Sequence, residues 1–222
     1  MPIRPAALAL ALLVPAGCLP EASLDTEVQQ ASYAIGYDMG RSLVEIADHV
    51  DMVAMMQGMS DALGGAESPL DELDIEHAME AFNEVVQTAR AEQAAVALSA
   101  GQTFLAENAG REGVMTTASG LQYEVLREGD GAAPMPGQFV TLHYRGTLPD
   151  GTEFDTSYGG EPATFGVGQV IPGFGEALGL TRVGGRIRAF IPANLGYGAG
   201  GMPPDIGPNQ VLIFEIELLA IE

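Results

Sequence analysis

Residues 139–157, FVTLHYRGTLPDGTEFDTS, outline a β-hairpin. Phe139 to Leu148 alternates bulky and polar side chains at the two-residue period of a strand. Pro149-Asp150-Gly151 supplies the fixed φ, the side-chain acceptor and the free φ of a tight turn, and Thr152–Asp155 starts the return strand. The same period extends outward. After Gly113, Leu121, Tyr123 and Val125 alternate with Gln122, Glu124 and Leu126, and further strands are expected at Ala163–Gly166 and Arg186–Ile191. From Val211 to Ile221, Phe214, Ile216 and Leu218 fall on one face and Glu215 and Glu217 on the other. One short helical piece, Gly173 to Leu180, interrupts them. An antiparallel sheet with a single helix to cover its apolar face is an α+β domain.

Upstream, from Ser23 to about Asn108, the period changes to that of helices. Ala34, Ile35, Met39, Leu43, Ile46 and Ala47 recur at helical spacing. Val50 to Leu63 carries Met52, Met55, Met56 and Met59 and stops at Gly64-Gly65. Methionine at this density suits a pliable binding surface; core filling is the more ordinary reading. A third helix is expected to start at Ser68 as cap, with Pro69 in its first turn and Asp71 and Glu72 at the positive end of its dipole. No proline or glycine then intervenes before Gly101. The Ala89–Ala100 stretch has the propensity to hold such a rod in solvent. A long helix of this kind is a spacer or a dimer arm, and the lack of a sustained heptad favours the spacer.

Composition removes several function classes. There are 9 Lys+Arg, all arginine, against 30 Asp+Glu, for a net charge of −21. A phosphate backbone would be repelled, so no nucleic-acid partner is expected, and without lysine there is no P-loop. The single cysteine and three scattered histidines offer neither disulfide framework nor metal-ligand spacing. Residues 1–17 have one cation, Arg4, an apolar run from Ala6 to Val14, then Pro15-Ala16-Gly17. That is the layout of a secretory signal, too short to span a bilayer. Cys18 follows where a bacterial lipoprotein is cleaved and acylated, though Pro15 stands where leucine is usual. Simple cleavage to a soluble periplasmic protein is the alternative. The expectation is a periplasmic protein anchored to the outer membrane as a lipoprotein, meeting the membrane only through that anchor. No ATP pool serves that compartment, so the chemistry must run without it.

Three strings, VTLHYRGTLPDGTEFDTS, PATFGVGQVIPGFGEAL and LGYGAGG…IGPNQVLIFEIELL, resemble FKBP-type peptidyl-prolyl isomerases in order and spacing from about Gly120 to the end. ASYAIGYDMGRSL at residues 31–43 is similar to the N-terminal domain of the bacterial macrophage-infectivity-potentiator type. The resemblance implies an all-helical N-terminal domain with a long connecting helix, then an antiparallel sheet wrapped around one short helix. In chain order these are a signal at 1–17, a helical, dimer-forming region at 18–67, the connecting helix at 68–112 and the isomerase domain at 113–222. It also implies a homodimer through the N-terminal helices and, as substrates, proline-containing unfolded or nascent exported polypeptides.

The family pattern falls on Tyr144, Phe154, Asp155, Phe165, Val170, Ile171, Phe174, Tyr197, Ile206 and Phe214, which in the family line one apolar pocket. The residue types make chemical sense. Resonance flattens the prolyl bond and sets a barrier of about 18–20 kcal/mol. Water favours the polar planar amide over the twisted one, and a dry aromatic pocket removes that preference. No nucleophile, metal or cofactor is needed. The resemblance makes Phe174 the floor and Tyr144, Phe154, Phe165 and Phe214 the walls. The Ile171 N–H and the Tyr197 hydroxyl would fix substrate carbonyls, and Asp155 would orient Tyr144 or polarise the twisting amide, unless it merely begins a turn. Phe174 stands where most relatives carry tryptophan, and Met202 where histidine is frequent. The rival function is an ATP-independent holdase chaperone whose N-terminal cleft or methionine-rich surface retains unfolded chains.

Overall fold

The computed structural model describes residues 22–222; residues 1–17, expected from the sequence to be a secretory signal, and Cys18 lie outside the described residues. The chain divides into two units, the first ending at Leu43 and the second starting at Val44. Among the described residues the first holds one helix, α1 (Glu27–Ser42). Its start is a capping box: the Gln29 N–H donates to Thr26 Oγ1 at 3.3 Å and the Thr26 N–H to Gln29 Oε1 at 3.0 Å, satisfying amides a helix start leaves over. Helical spacing suggested continuation to Ala47. Instead α1 stops at Ser42, whose hydroxyl bonds back to the Met39 carbonyl, and Val44–His49 winds as a 3₁₀ helix. Side-chain competition of this kind favours a helix end. No residue of α1 is buried, and Val28, Tyr33, Ile35 and Tyr37 are each more than half exposed.

In the second unit, α2 (Met52–Gly64) is capped by Asp51, which accepts from the Val53 and Ala54 amides. It ends at Gly65 with φ of 70°, at the expected glycine pair. The expectation that its methionines fill a core is not met within one chain. Met52, Met56 and Met59 are 54%, 41% and 37% exposed, and α2 buries none of its residues. The long helix α3 (Glu72–Ala109) has 38 residues, roughly 57 Å at the usual rise. Its cap is Asp71, accepting from the Asp74 N–H at 2.9 Å, and not Ser68. Pro69 biases Ser68 away from helix, and the Ser68 hydroxyl serves the Leu70 N–H in the bend before the helix.

The remainder is β1 (Val114–Thr116), β2 (Gln122–Arg127), β3 (Phe139–Thr147), β4 (Glu153–Thr156), β5 (Ala163–Gly166), α4 (Pro172–Gly179), β6 (Arg186–Ile191) and β7 (Leu212–Ile221). The strands form one antiparallel sheet in the order β1-β2-β6-β7-β3-β4, with β5 paired to β3. Alternation sends Val140, Leu142 and Tyr144 of β3, Ile187, Ala189 and Ile191 of β6, and Leu212, Phe214, Ile216 and Leu218 of β7 to the inner face, where Phe174, Ala177 and Leu178 of α4 close over them. Between β3 and β4, the Gly151 N–H bonds to the Leu148 carbonyl, the Thr152 N–H to Asp150 Oδ1, and Gly151 takes φ of 91°. The outer face carries charge in rows: Glu215 sits between Arg186 and Arg188, and Arg127 reaches Glu217 at 2.7 Å.

That outer face seats the last turns of α3, so the helix is not a spacer held in solvent throughout. Gly101 is buried, and a Cβ there would stand 2.9 Å from Val211 Cγ2. Phe104 packs on Phe190 with ring centres 6.1 Å apart, and the Arg111 guanidinium lies 5.7 Å above the same ring. Asn108 donates to Gln122 Oε1 at 2.8 Å, and Gln122 Nε2 donates to the Leu105 carbonyl at 2.8 Å. Both side chains are buried and both are paired, which avoids the cost of an orphaned buried amide.

Candidate active site

The inner face of the sheet and the first turn of α4 meet at an aromatic cluster. Phe174 comes two residues after Pro172, whose fixed φ suits the first helical position. Its ring centre lies 5.0 Å from Phe214, 5.9 Å from Phe165 and 6.1 Å from Tyr144, in each case edge to face. Phe154 reaches Phe214 at 5.4 Å and Tyr144 reaches Phe165 at 5.5 Å, again edge to face. Such contacts match positive ring edges to negative faces and fix ring orientations. Gly146 makes the arrangement possible, since a Cβ there would come within 2.5 Å of Phe154 and 2.9 Å of Phe214. Phe174, Tyr144, Phe214 and Ile206 are buried, whereas Phe154, Phe165, Val170, Ile171 and Tyr197 are partly exposed.

Polar groups accompany this cluster. The Tyr144 hydroxyl donates to Asp155 Oδ2 at 2.6 Å. Burial, and then the hydrogen bond and charge of Asp155, push the Tyr144 hydroxyl well above the usual tyrosine value. Tyr144 therefore keeps its proton and remains a donor. Burial and then the Asp155 charge also raise the Tyr197 hydroxyl above the usual tyrosine value. Among the described residues, neither the Tyr197 hydroxyl nor the Ile171 N–H has a hydrogen-bond partner. Both stay available to a ligand's carbonyl oxygens.

Nine of the ten positions read from the sequence pattern pack into or against this one cluster, and Asp155 joins it through Tyr144. Sequence reasoning missed the residues that hold Tyr144 from behind. Its N–H donates to Ser157 Oγ at 2.9 Å, and its carbonyl accepts from the Ser157 N–H at 3.0 Å and Thr156 Oγ1 at 3.2 Å. His143 meets Ser157 Oγ through Nδ1 at 3.0 Å and stacks on Tyr158. The one available signal was the Thr-Ser pair after Asp155, two hydroxyls at a strand end that can stand in for ladder bonds.

An aromatic cluster with an unpaired hydroxyl and an unpaired N–H at its edge is a candidate site for a flat apolar ring attached to a peptide backbone. Comparison with known proteins names that class. The model of the FKBP-type peptidyl-prolyl cis-trans isomerase domain matches residues 131–219, and that of the domain amino terminal to it matches residues 28–125. The FKBP-type isomerase FkpA of Aeromonas hydrophila is 40% identical over 215 residues, 91% of this chain and 80% of its own length. The outer membrane protein MIP of Legionella longbeachae is 35% identical over 225 residues, 99% of this chain and 97% of its own. The crystal structure of FkpA from Escherichia coli superposes with a TM-score of 0.64 at 34% identity, covering 90% of this chain and 99% of that one. The chain belongs to the FKBP-type peptidyl-prolyl cis-trans isomerases.

Proposed function

We propose that this isomerase turns prolyl bonds of unfolded exported polypeptides in the basin over Phe174. The pyrrolidine ring rests on Phe174 between the walls of Tyr144, Phe154, Phe165 and Phe214, with Val170 and Ile206 filling the sides. The Ile171 N–H and the Tyr197 hydroxyl hold substrate carbonyls while the bond between them rotates. Water is excluded, so the twisted amide no longer competes with a better-solvated planar one. Lowering the barrier by about 6–8 kcal/mol in this way corresponds to roughly 10⁴–10⁶-fold acceleration. Asp155 acts by fixing Tyr144 through the bond at 2.6 Å, and that bond is the observation that most supports the assignment, because it ties an exposed carboxylate to a buried wall of the basin. The test is a protease-coupled assay on a proline tetrapeptide. Tyr144→Ala and Asp155→Ala are expected to lose about tenfold or more in rate, equivalent to roughly 1.4 kcal/mol. Unchanged rates in both variants would move the site elsewhere.

The N-terminal helices support a homodimer. Tyr33, Ile35 and Tyr37 of α1 and Met52, Val53 and Met56 of α2 are exposed in a single chain, more apolar surface than a soluble monomer ordinarily leaves open. For location, the reading is the cell envelope, with cleavage before Cys18 and acylation of its thiol. The leader's layout and the outer-membrane name of the Legionella relative support it. Mass spectrometry of the mature N-terminus tests it: an acylated Cys18 is expected, and an N-terminus with unmodified Cys18 overturns the anchor while leaving export standing.

A further inference from the structure

The loop that carries Tyr197 has two sides. Its inner side gives Tyr197 and Ile206 to the aromatic basin. Its outer side, through Ala199, Pro203 and Pro208, faces Gln87 and Ala94 of α3 across a groove of about 360 Å³. The loop's sequence gives it little stiffness of its own, because Gly196, Gly198, Gly200 and Gly201 surround Tyr197 and glycine restricts the backbone least. Short turns and the Met202–Ile206 bridge shape the loop from within, and the long helix adds a restraint from outside.

Beside that groove, Asn209 ties the loop to the helix. Its side-chain Nδ2 donates to the Ala94 carbonyl at 3.1 Å, while its backbone N–H donates to the Gly198 carbonyl at 2.8 Å. Gly198 is the residue after Tyr197. Asn209 has φ of 54°, the one non-glycine residue in the left-handed region among the described residues, and asparagine enters that region at less cost than most side chains. The Ala94 carbonyl is inside the helix, where the Leu98 N–H already serves it. The helix gains little from a second donor there; the loop gains an anchor. Two residues on, Val211 packs against Gly101 of the same helix, so the anchor point does not shift.

We infer that Asn209 is a positioning residue: it clamps the base of the Tyr197 loop to the long helix and so holds the Tyr197 hydroxyl at the rim of the basin. The inference rests on the reading of Tyr197 as a carbonyl clamp, and α3 thereby becomes part of the isomerase's working geometry. Two substitutions remove the clamp without disturbing the backbone. Asn209→Asp keeps the side chain's size but puts an acceptor opposite the Ala94 carbonyl. Asn209→Gly keeps the positive φ and removes the side chain.

The full chain is assayed on a proline tetrapeptide as a double-mutant cycle with Tyr197→Phe. Each Asn209 variant is expected to lower kcat about three- to tenfold, the worth of one hydrogen bond, with KM within twofold of the parent. In the Tyr197→Phe background the same substitutions are expected to add nothing, because the group they position is gone. Losses that multiply in the double variants, or Asn209 variants that keep the parental kcat while Tyr197→Phe loses it, overturn the inference alone. A Tyr197→Phe variant with full activity overturns the reading of Tyr197 and the inference together.

Discussion

Tyr144 is the residue where burial, orientation and protonation meet. Its ring touches three other rings of the basin, its hydroxyl bonds Asp155, and its backbone is gripped by Thr156 and Ser157. Its raised proton affinity has a consequence for stability. As pH rises past the ordinary tyrosine value of 10.0, the unfolded chain releases a proton that the folded chain keeps. The folded state then binds more protons, so stability falls with pH in that range. The urea midpoint is therefore expected to drop between pH 9.5 and 11, and to drop less steeply in Tyr144→Phe; parallel slopes would count against it. The ring set was legible in the sequence because the family order of aromatic residues is local and dense. Ser157 and Thr156 were not, because a hydroxyl that replaces a ladder bond looks the same on paper as one facing water. Gly146 was also opaque: its lack of a side chain matters only once Phe154 and Phe214 are known to converge on it.

Among the elements, strands read more truly than helices. β5 and β6 have the ends that alternation gives, because a period of two in a half-buried strand leaves little room for another register. α3 was legible in length but not in role. Its seat on the sheet runs through Ala94, Ala97, Gly101 and Asn108, which are partly or fully buried. Alanine serves equally as the best helix former in solvent and as a small residue for close packing, so sequence alone could not separate a rod from a docked helix. Packing decides it, and Gly101→Leu tests it. With a Cβ only 2.9 Å from Val211, the larger side chain forces the helix outward. A loss of about 1–3 kcal/mol is expected, read as a lower urea midpoint, whereas a midpoint equal to the parent's would mean that the seat is loose.

On the scale of the whole molecule, a strongly acidic chain leaves the apolar side chains of α1 and α2 exposed and carries its candidate site in the C-terminal half. Core filling was a sound expectation for the methionines of α2, and it fails within one chain because among the described residues nothing covers them. Light scattering of the full chain is expected to give twice the 23.1 kDa, less any cleaved leader, and Val53→Glu with Met56→Glu is expected to halve it while leaving the tetrapeptide rate within twofold. A parent that weighs one chain at micromolar concentration removes the dimer.

The pairing of Phe104 with Phe190 and of Asn108 with Gln122 also decides where the protein can be cut. Domain reasoning from composition would place a protease-resistant catalytic fragment after Gly113, downstream of the helix. Such a fragment would be stripped of its lining: Phe190 would lie bare to water and Gln122 would lose both amide partners. A fragment that begins inside α3, upstream of Ala94, keeps these contacts and is expected to resist limited proteolysis longer than one that begins after Gly113.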